Sequence, residues 1–239
     1  APSALWIIDR YTTPGRASVV RRFVVPTARP CAFIPMSESS GLILDLSEEV
    51  QRLLIEHLKL WRRAGFAPPP ISLNCSPRSV REPEMALKLI SALKRADIPT
   101  ELLCVEITEG ALLESIQSVT ENLSTFARHG VRISVDDFGT GYSSLFYLKR
   151  LPLAELKVDK SFVDGLGEDS DDEAIASAIL GLAQSLRLET VAEGVETERQ
   201  LEWLQRHGCN AAQGYLLSRP LEAQAFEALM KKNVTVQNA

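Results

Sequence analysis

The segment VDDFGTGYSSL, residues 135–145, sets two carboxylates side by side between an apolar alternating run and a turn rich in Gly and Ser. Asp136 and Asp137 repel each other in an apolar site unless a cation or a proton comes between them. They have company: Asn74, Glu106, Lys157, Glu193 and Gln213 each close a short apolar run elsewhere in the chain. Carboxylates and an amide, with no His or Cys thiolate among them, make an oxygen donor set suited to a hard divalent ion such as Mg2+, Mn2+ or Ca2+. Adjacent aspartates are suited to bridging two such ions about 3.5–4 Å apart, an arrangement used for in-line attack on phosphate esters. In that chemistry Lys157 could hold or polarise the attacking water, and Glu193 could take its proton. For the Asp pair alone, a helix cap before GTGYSS is an equally good account. Six run ends in succession that finish on such residues are harder to explain as caps.

These residues meet only if the runs that carry them are parallel strands. ISLN, ELLCVEIT, VRISVDD, AELKVD, ETVAEGV and AAQGYLL are rich in Val, Ile and Leu and read as buried strands, mostly apolar on both faces. Between them lie helical stripes: Val50, Leu53, Leu54, Leu58 and Trp61; Ile116, Val119, Leu123 and Phe126; Ile175, Ile179, Leu182 and Leu186. Gly65, with PPP at 68–70, and Gly130 stop the first two. Six such units, with room for two more strands upstream, predict an α/β fold, an eight-stranded barrel, with a doubly wound open sheet as the runner-up. No G-x-G-x-x-G follows a strand, which weakens the dinucleotide-binding form of the latter. In a parallel barrel every strand's C-terminal end opens on one mouth, where such folds carry their chemistry. The acidic stretch GEDSDDE, 167–173, reads as a solvated helix N-terminus, and the tail 231–239 as frayed.

Composition narrows the classes. A chain of 239 residues that is 45% hydrophobic suits one domain with a full core, and a net charge of −5 argues against a nucleic-acid surface. No apolar run approaches the roughly 18 residues of a membrane span, and no signal peptide is evident. Cys31, Cys75, Cys104 and Cys209 lie far apart and read as buried thiols of a reducing compartment. His57, His129 and His207 fall in or at the ends of helical segments and read as structural.

The blocks VDDFGTGYSSL, LKVDKSFV, VAEGVE and QGYLLSRPL resemble the signatures of the EAL-domain family, bacterial phosphodiesterases that linearise cyclic di-GMP to pGpG. FIPMSESSGLI (33–43), LNCSPRSV (73–80) and VEITEGALL (105–113) are similar to family blocks too. The resemblance is clearest over 33–225, leaves 1–32 divergent, and implies one EAL-type domain over 1–239, a modified TIM (β/α)8 barrel. It implies metal ligation by Asn74, Glu106, Asp136 and Asp137, with Lys157 and Glu193 at the nucleophilic water. It puts Gln213 in a water-mediated outer layer and Glu109 under the loop DFGTGYSS, which in the family couples the metal to a dimer interface. Arg21 and Arg219 are the expected contacts to substrate. Mg2+ or Mn2+ is the implied cofactor, with Ca2+ inhibitory. Cyclic di-GMP, a homodimer mate, a protein partner and an upstream sensory or GGDEF module are the implied partners, in the bacterial cytoplasm.

One block departs. Where the family has Glu-Ala-Leu followed by a phosphate-binding Arg, this chain has RASVVRR, residues 16–22, so the Glu position falls on Arg16 and the Arg position on Val20. Residues 1–37 contain a single acidic residue, Asp9, too far upstream to substitute. A guanidinium in place of a metal-binding carboxylate cannot lose its proton to relieve the conflict. Arg16 either swings away and leaves a weakened metal site, or fills it and pairs with Asp136 or Glu106. The expectation is a degenerate domain that binds cyclic di-GMP with absent or impaired hydrolysis. The alternatives are a working phosphodiesterase and a ligand-free interaction scaffold.

Overall fold

The six apolar runs become neighbouring parallel strands. The computed structural model describes residues 5–7, 18–20, 37, 38, 40–66, 68, 70–113, 117–141, 145–219, 221 and 225–228. Strands β1 (Leu5–Ile7), β2 (Ser18–Val20), β3 (Ile71–Cys75), β4 (Leu103–Thr108), β5 (Arg132–Phe138), β6 (Glu155–Val158), β7 (Glu189–Ala192) and β8 (Ala211–Gln213) form one sheet in the order β1-β3-β4-β5-β6-β7-β8-β2. From β3 to β8 every neighbour is parallel, and β2 joins β8 in parallel as well. Among the described strands only β1, against β3, is antiparallel. From β3 to β8 the strands lie in chain order with no reversal, the order of a modified (β/α)8 barrel rather than of an open doubly wound α/β sheet. Arg16, Arg21 and Cys31 lie outside the described residues.

Period-two alternation sorts each strand into two chemistries. Ile71, Leu73, Val105, Ile107, Ile133, Val135, Leu156 and Val158 are buried in the main apolar core with the helices. The residues between them are Ser72, Asn74, Cys104, Glu106, Ser134, Asp136 and Lys157. The expectation of strands apolar on both faces therefore fails: the inner face is polar, because the strands carry the site's side chains and what supports them.

The helices are α1 (Ile43–Arg63), α2 (Pro77–Arg81), α3 (Met85–Arg95), α4 (Glu109–Leu113), α5 (Gln117–Arg128), α6 (Leu145–Arg150), α7 (Lys160–Val163), α8 (Ser170–Leu186) and α9 (Glu198–Arg206). In α1, Leu54, Leu58 and Trp61 face the core while Arg52 pairs outside with Glu49 and Glu56. In α5, Val119, Leu123 and Phe126 are buried, and Gly130 at φ +79° ends the segment. Buried Asn122 accepts from Ala86 N–H at 3.1 Å and donates to the carbonyls of Val80 and Glu82, fastening α5 to the start of α3. Helix α8 turns a different face inward than its Ile/Leu spacing suggests. Ala176, Ile179, Leu180 and Ala183 are buried, whereas Ile175 is 42% exposed. The acidic stretch before it is a cap, with Asp169 accepting from the N–H groups of Asp171 and Asp172.

Three strands are shorter than expected. Thr100–Leu102 form a 3-10 turn ahead of β4. After β7 and β8 the chain turns at Gly194, φ +73°, and at Gly214, where any Cβ would run into the backbone of Val195. That close approach lets Val195 N–H donate to Gln213 O at 3.0 Å and Leu216 N–H to Val195 O at 3.1 Å. The two loops thus lock together beside Glu193 and Gln213.

Candidate active site at the strand ends

Lys157, on β6, is the centre of the polar cluster. Its side chain is 1% exposed, and its Nζ lies 2.6 Å from Glu193 Oε1, 2.9 Å from Asp136 Oδ1 and 3.0 Å from Glu106 Oε2. Strands β4 and β5 and the loop after β7 each deliver one carboxylate to it. A buried ammonium is tolerable only because it is paired this way. Burial favours its neutral form, but the three carboxylates overcome that and hold its pKa well above the usual lysine value.

The aspartate pair owes its arrangement to a bulge. Successive strand residues point to opposite faces, so Asp137 should turn away from Asp136. Between Val135 and Phe138 the register to β6 shifts, and Asp137 takes φ +54°. Its N–H donates to Asp136 Oδ1 at 3.1 Å. As a result Asp136, Asp137 and Glu193 present oxygen atoms that all lie within 4.8 Å of one another. Sequence spacing could not reveal the bulge, and spacing alone marks Glu193 only as a proton acceptor, whereas it is the third member of this oxygen group.

Asn74 and Glu106 stand in register on β3 and β4. Asn74 Nδ2 is buried without a hydrogen-bond partner among the described residues. Rotating that amide would aim its oxygen into the same space, as a cation ligand requires. Gln213, 9% exposed, ends β8, level with Val20 on β2. Glu109, at the start of α4, accepts from the N–H groups of Gly139 (2.9 Å) and Gly141 (3.3 Å) in the DFGTG turn. Arg219 is exposed, its guanidinium carbon 5.0 Å from the centre of the Tyr215 ring.

The electrostatics leave a surplus of negative charge. Among the described residues, Glu106, Asp136, Asp137 and Glu193 gather around a single side-chain ammonium, that of Lys157. Burial pushes the Glu106 carboxyl up to about 7 against the lowering pull of Lys157. Burial also raises Glu193, again opposed by Lys157, and raises Asp137, with Asp136 adding to the rise. A divalent ion would replace those protons as counter-charge, and the donor set is of the hard oxygen type such ions take. The residues fit the ion.

The remaining sequence expectations concern residues outside this cluster. His57, His129 and His207 each bond through Nδ1 to the carbonyl four residues back, at 2.8, 2.9 and 2.8 Å, and take no part in the site. Cys75, Cys104 and Cys209 are buried free thiols.

Comparison with known proteins agrees with this geometry. The EAL domain profile matches residues 17–220. The bifunctional diguanylate cyclase/cyclic di-GMP phosphodiesterase MucR of Pseudomonas aeruginosa is 43% identical over 199 residues, 83% of this chain and 29% of that protein. Cyclic di-GMP phosphodiesterase NbdA of the same organism is 40% identical over 202 residues, 84% of this chain and 26% of that protein. The chain thus spans less than a third of the length of these relatives. The solved structure of the PaMucR phosphodiesterase in its c-di-GMP complex matches with a TM-score of 0.79 at 37% identity, covering 94% of this chain and 92% of that one. The EAL domain of Mycobacterium smegmatis DcpA matches with a TM-score of 0.74 at 36% identity, covering 80% and 86%.

Proposed function

The chain belongs to the EAL domain family, and from that premise we propose that it is a cyclic di-GMP receptor domain whose hydrolytic activity is absent or strongly impaired. The observation that carries the binding half is the buried group of Lys157, Glu106, Asp136 and Glu193, with Asp137 turned toward it. A group of this charge at a barrel mouth suits a ligand system of cations and phosphates.

Asn74, Glu106, Asp136, Asp137 and Glu193 would hold Mg2+ or Mn2+, which when bound supplies Lewis-acid polarisation of a phosphate ester. Lys157 gathers the three carboxylates around one ammonium and sets a positive charge beside the place where an attacking water would be held. Glu193, with its raised pKa, is suited to accept that water's proton. Arg219, with Tyr215 beneath it, offers a guanidinium and an aromatic face to the ligand's periphery.

The support for impairment lies near the chain's start. Between Asp9 and Glu38 the sequence has no carboxylate, and with RASVVRR set against the family's Glu-Ala-Leu block the glutamate position falls on Arg16. One ligand fewer and one positive charge more weaken the ion, and a catalytic ion is worth several kcal/mol of transition-state stabilisation. A second reading, an active phosphodiesterase forming pGpG, is favoured by the survival of Asn74, Glu106, Asp136, Asp137, Lys157, Glu193 and Gln213 and by the phosphodiesterases among the relatives.

The same reading includes a homodimer in the bacterial cytoplasm, working with a protein partner or an upstream module. Beyond its acidic first turn the outer face of α8, Ala174, Ile175, Ser177, Ala178 and Gly181, is exposed and carries no charge, whereas that of α1 is laced with Glu and Arg. Small residues on a helix face let an identical helix approach closely. Among the described residues no helix is long and apolar enough to cross a membrane.

The test is a calorimetric titration of cyclic di-GMP into the protein with excess Mg2+. Injection peaks that saturate near one ligand per chain support a receptor. Sustained heat flow after each injection means turnover and removes the impairment.

A further inference from the structure

Beneath the mouth, the barrel's inner face is polar where branched apolar side chains usually fill it. Stepping down by two residues, Asn74 is followed by Ser72, Glu106 by Cys104, Asp136 by Ser134 and then Arg132, and Lys157 by Glu155. Strand register joins these columns. Glu106 is flanked by Asn74 on β3 and Ser134 on β5, Ser134 by Glu155 on β6, and Cys104 by Ser72 on β3. At the foot, Arg132 pairs with Glu155 at 3.4 Å and with Glu189 at 2.5 Å.

Two members of this interior stand out. Ser72 and Ser134 are both 0% exposed. Neither hydroxyl oxygen makes a hydrogen bond of normal geometry among the described residues. Ser72 nevertheless lies near enough to Glu106 and Cys104 to favour their ionised forms. A buried polar atom left unsatisfied costs about 1–3 kcal/mol. Native interiors meet that deficit with ordered water where a polar pocket offers two to four partners. The two serines sit on the strands either side of β4, Ser134 level with Glu106 and Ser72 level with Cys104 one step below it, so ordered water beside the Glu106–Cys104 column would meet both deficits.

We propose that Ser72 and Ser134 are positioning residues for Glu106, holding ordered water inside the barrel beside its side chain. Water donating from the barrel interior fixes the direction of the Glu106 oxygens and leaves their remaining lone pairs facing Lys157 and the mouth. The consequence for metal binding rests on the reading of Glu106 as a ligand; the hydration itself does not.

The experiment compares the wild type with Ser72→Ala, Ser134→Ala and Ser134→Thr. Oxygen-17 magnetic relaxation dispersion on the metal-free protein counts long-lived internal waters, thermal unfolding gives stability, and calorimetry with Mn2+ gives affinity. Each Ala variant should lose long-lived water, fall by about 2–4 °C in Tm, and bind Mn2+ about tenfold more weakly. Ser134→Thr, which keeps the hydroxyl, should recover the Mn2+ affinity. Ala variants with unchanged internal water and equal or higher Tm would overturn the proposal, since removing a dry unsatisfied hydroxyl relieves a cost. A wild type without Mn2+ affinity, whose Ala variants still lose internal water, would support the hydration site and overturn the metal reading separately.

Discussion

The N–H of Asp137 donates to the carboxylate of Asp136 at 3.1 Å while Asp137 itself holds φ at +54°. The bond and the dihedral are two sides of one bulge, which folds the second aspartate back beside the first. Left-handed backbone is unfavourable for any residue with a Cβ. Here it persists at the place where two negative charges are crowded together, so the fold opposes both sterics and Coulomb repulsion at one site. That pattern is typical of binding sites, where the ligand returns the stored cost.

Replacing Asp137 with Gly separates the two contributions. Glycine adopts positive φ freely and removes one charge from the cluster, so the metal-free protein should gain about 0.5–1 kcal/mol of stability. Mn2+ affinity should fall at least tenfold, because one of three clustered oxygen donors is lost. Urea unfolding in EDTA and Mn2+ calorimetry measure the two effects. A variant that is both less stable and equally metal-binding contradicts the assignment.

Lys157→Met tests the cation at the cluster's centre. Methionine approximates the stem's volume but leaves Glu106, Asp136 and Glu193 without their buried counter-charge, at a cost of about 3–5 kcal/mol. The loss should be greatest at high pH and partly reversed at about pH 5.5, where the carboxyls take up protons, or by millimolar Mn2+. Chemical denaturation at acidic and at mildly alkaline pH, with and without Mn2+, reads this directly. Equal destabilisation under all of these conditions would mean that packing, not charge, is what Lys157 supplies.

A pH dependence follows from Glu106. Its carboxyl is raised by burial from the usual 4.5 to about 7 in the folded chain. A raised folded pKa means that the native state binds the proton more tightly than the unfolded one. The associated stability is therefore complete below about pH 4.5 and is lost as pH rises through 7, on the order of 3 kcal/mol for a difference of this size. Glu193 and Asp137 are raised in the same direction and add to the trend. In EDTA the unfolding free energy should decline from about pH 5 to about pH 8. With saturating Mn2+ the slope should flatten or invert, because the ion must displace those protons and binds more tightly at high pH.

Much of this was readable from residue types. Short apolar runs closing on Asn74, Glu106, Asp136, Lys157, Glu193 and Gln213 located the strands, their parallel sense and the mouth, because parallel strands align their ends. What escaped the sequence depends on backbone detail between distant segments. The bulge that turns Asp137 is set by pairing to β6, not by local propensity. The polar inner face was hidden because Ser72, Cys104 and Ser134 alternate with strongly apolar residues, and averaging over a run dilutes them. In α8 the apolar spacing pointed to Ile175, yet smaller Ala176 and Ala183 are buried in its place. A helix pressed against a sheet takes small side chains at the closest approach.

The uncharged outer side of α8 leads to the last expectation. Ala174, Ile175, Ser177, Ala178 and Gly181 are exposed along it, and from Ala174 to Leu186 the helix has no charged residue. A Cβ built at Gly181 meets nothing within 4 Å, so a side chain there is free of the chain's own packing. Gly181→Glu should therefore raise the helix's intrinsic stability by up to about 1 kcal/mol while placing a charge in the middle of the surface offered to a second copy. Sedimentation velocity at micromolar concentration should show a dimer for the wild type and a monomer for the variant, with the variant's Tm at low protein concentration unchanged or higher. A charge facing its symmetry mate across a dry contact is repelled and desolvated at once, so even a modest interface fails. A variant that remains dimeric, or a wild type that never dimerises, would show that solvent alone covers this face.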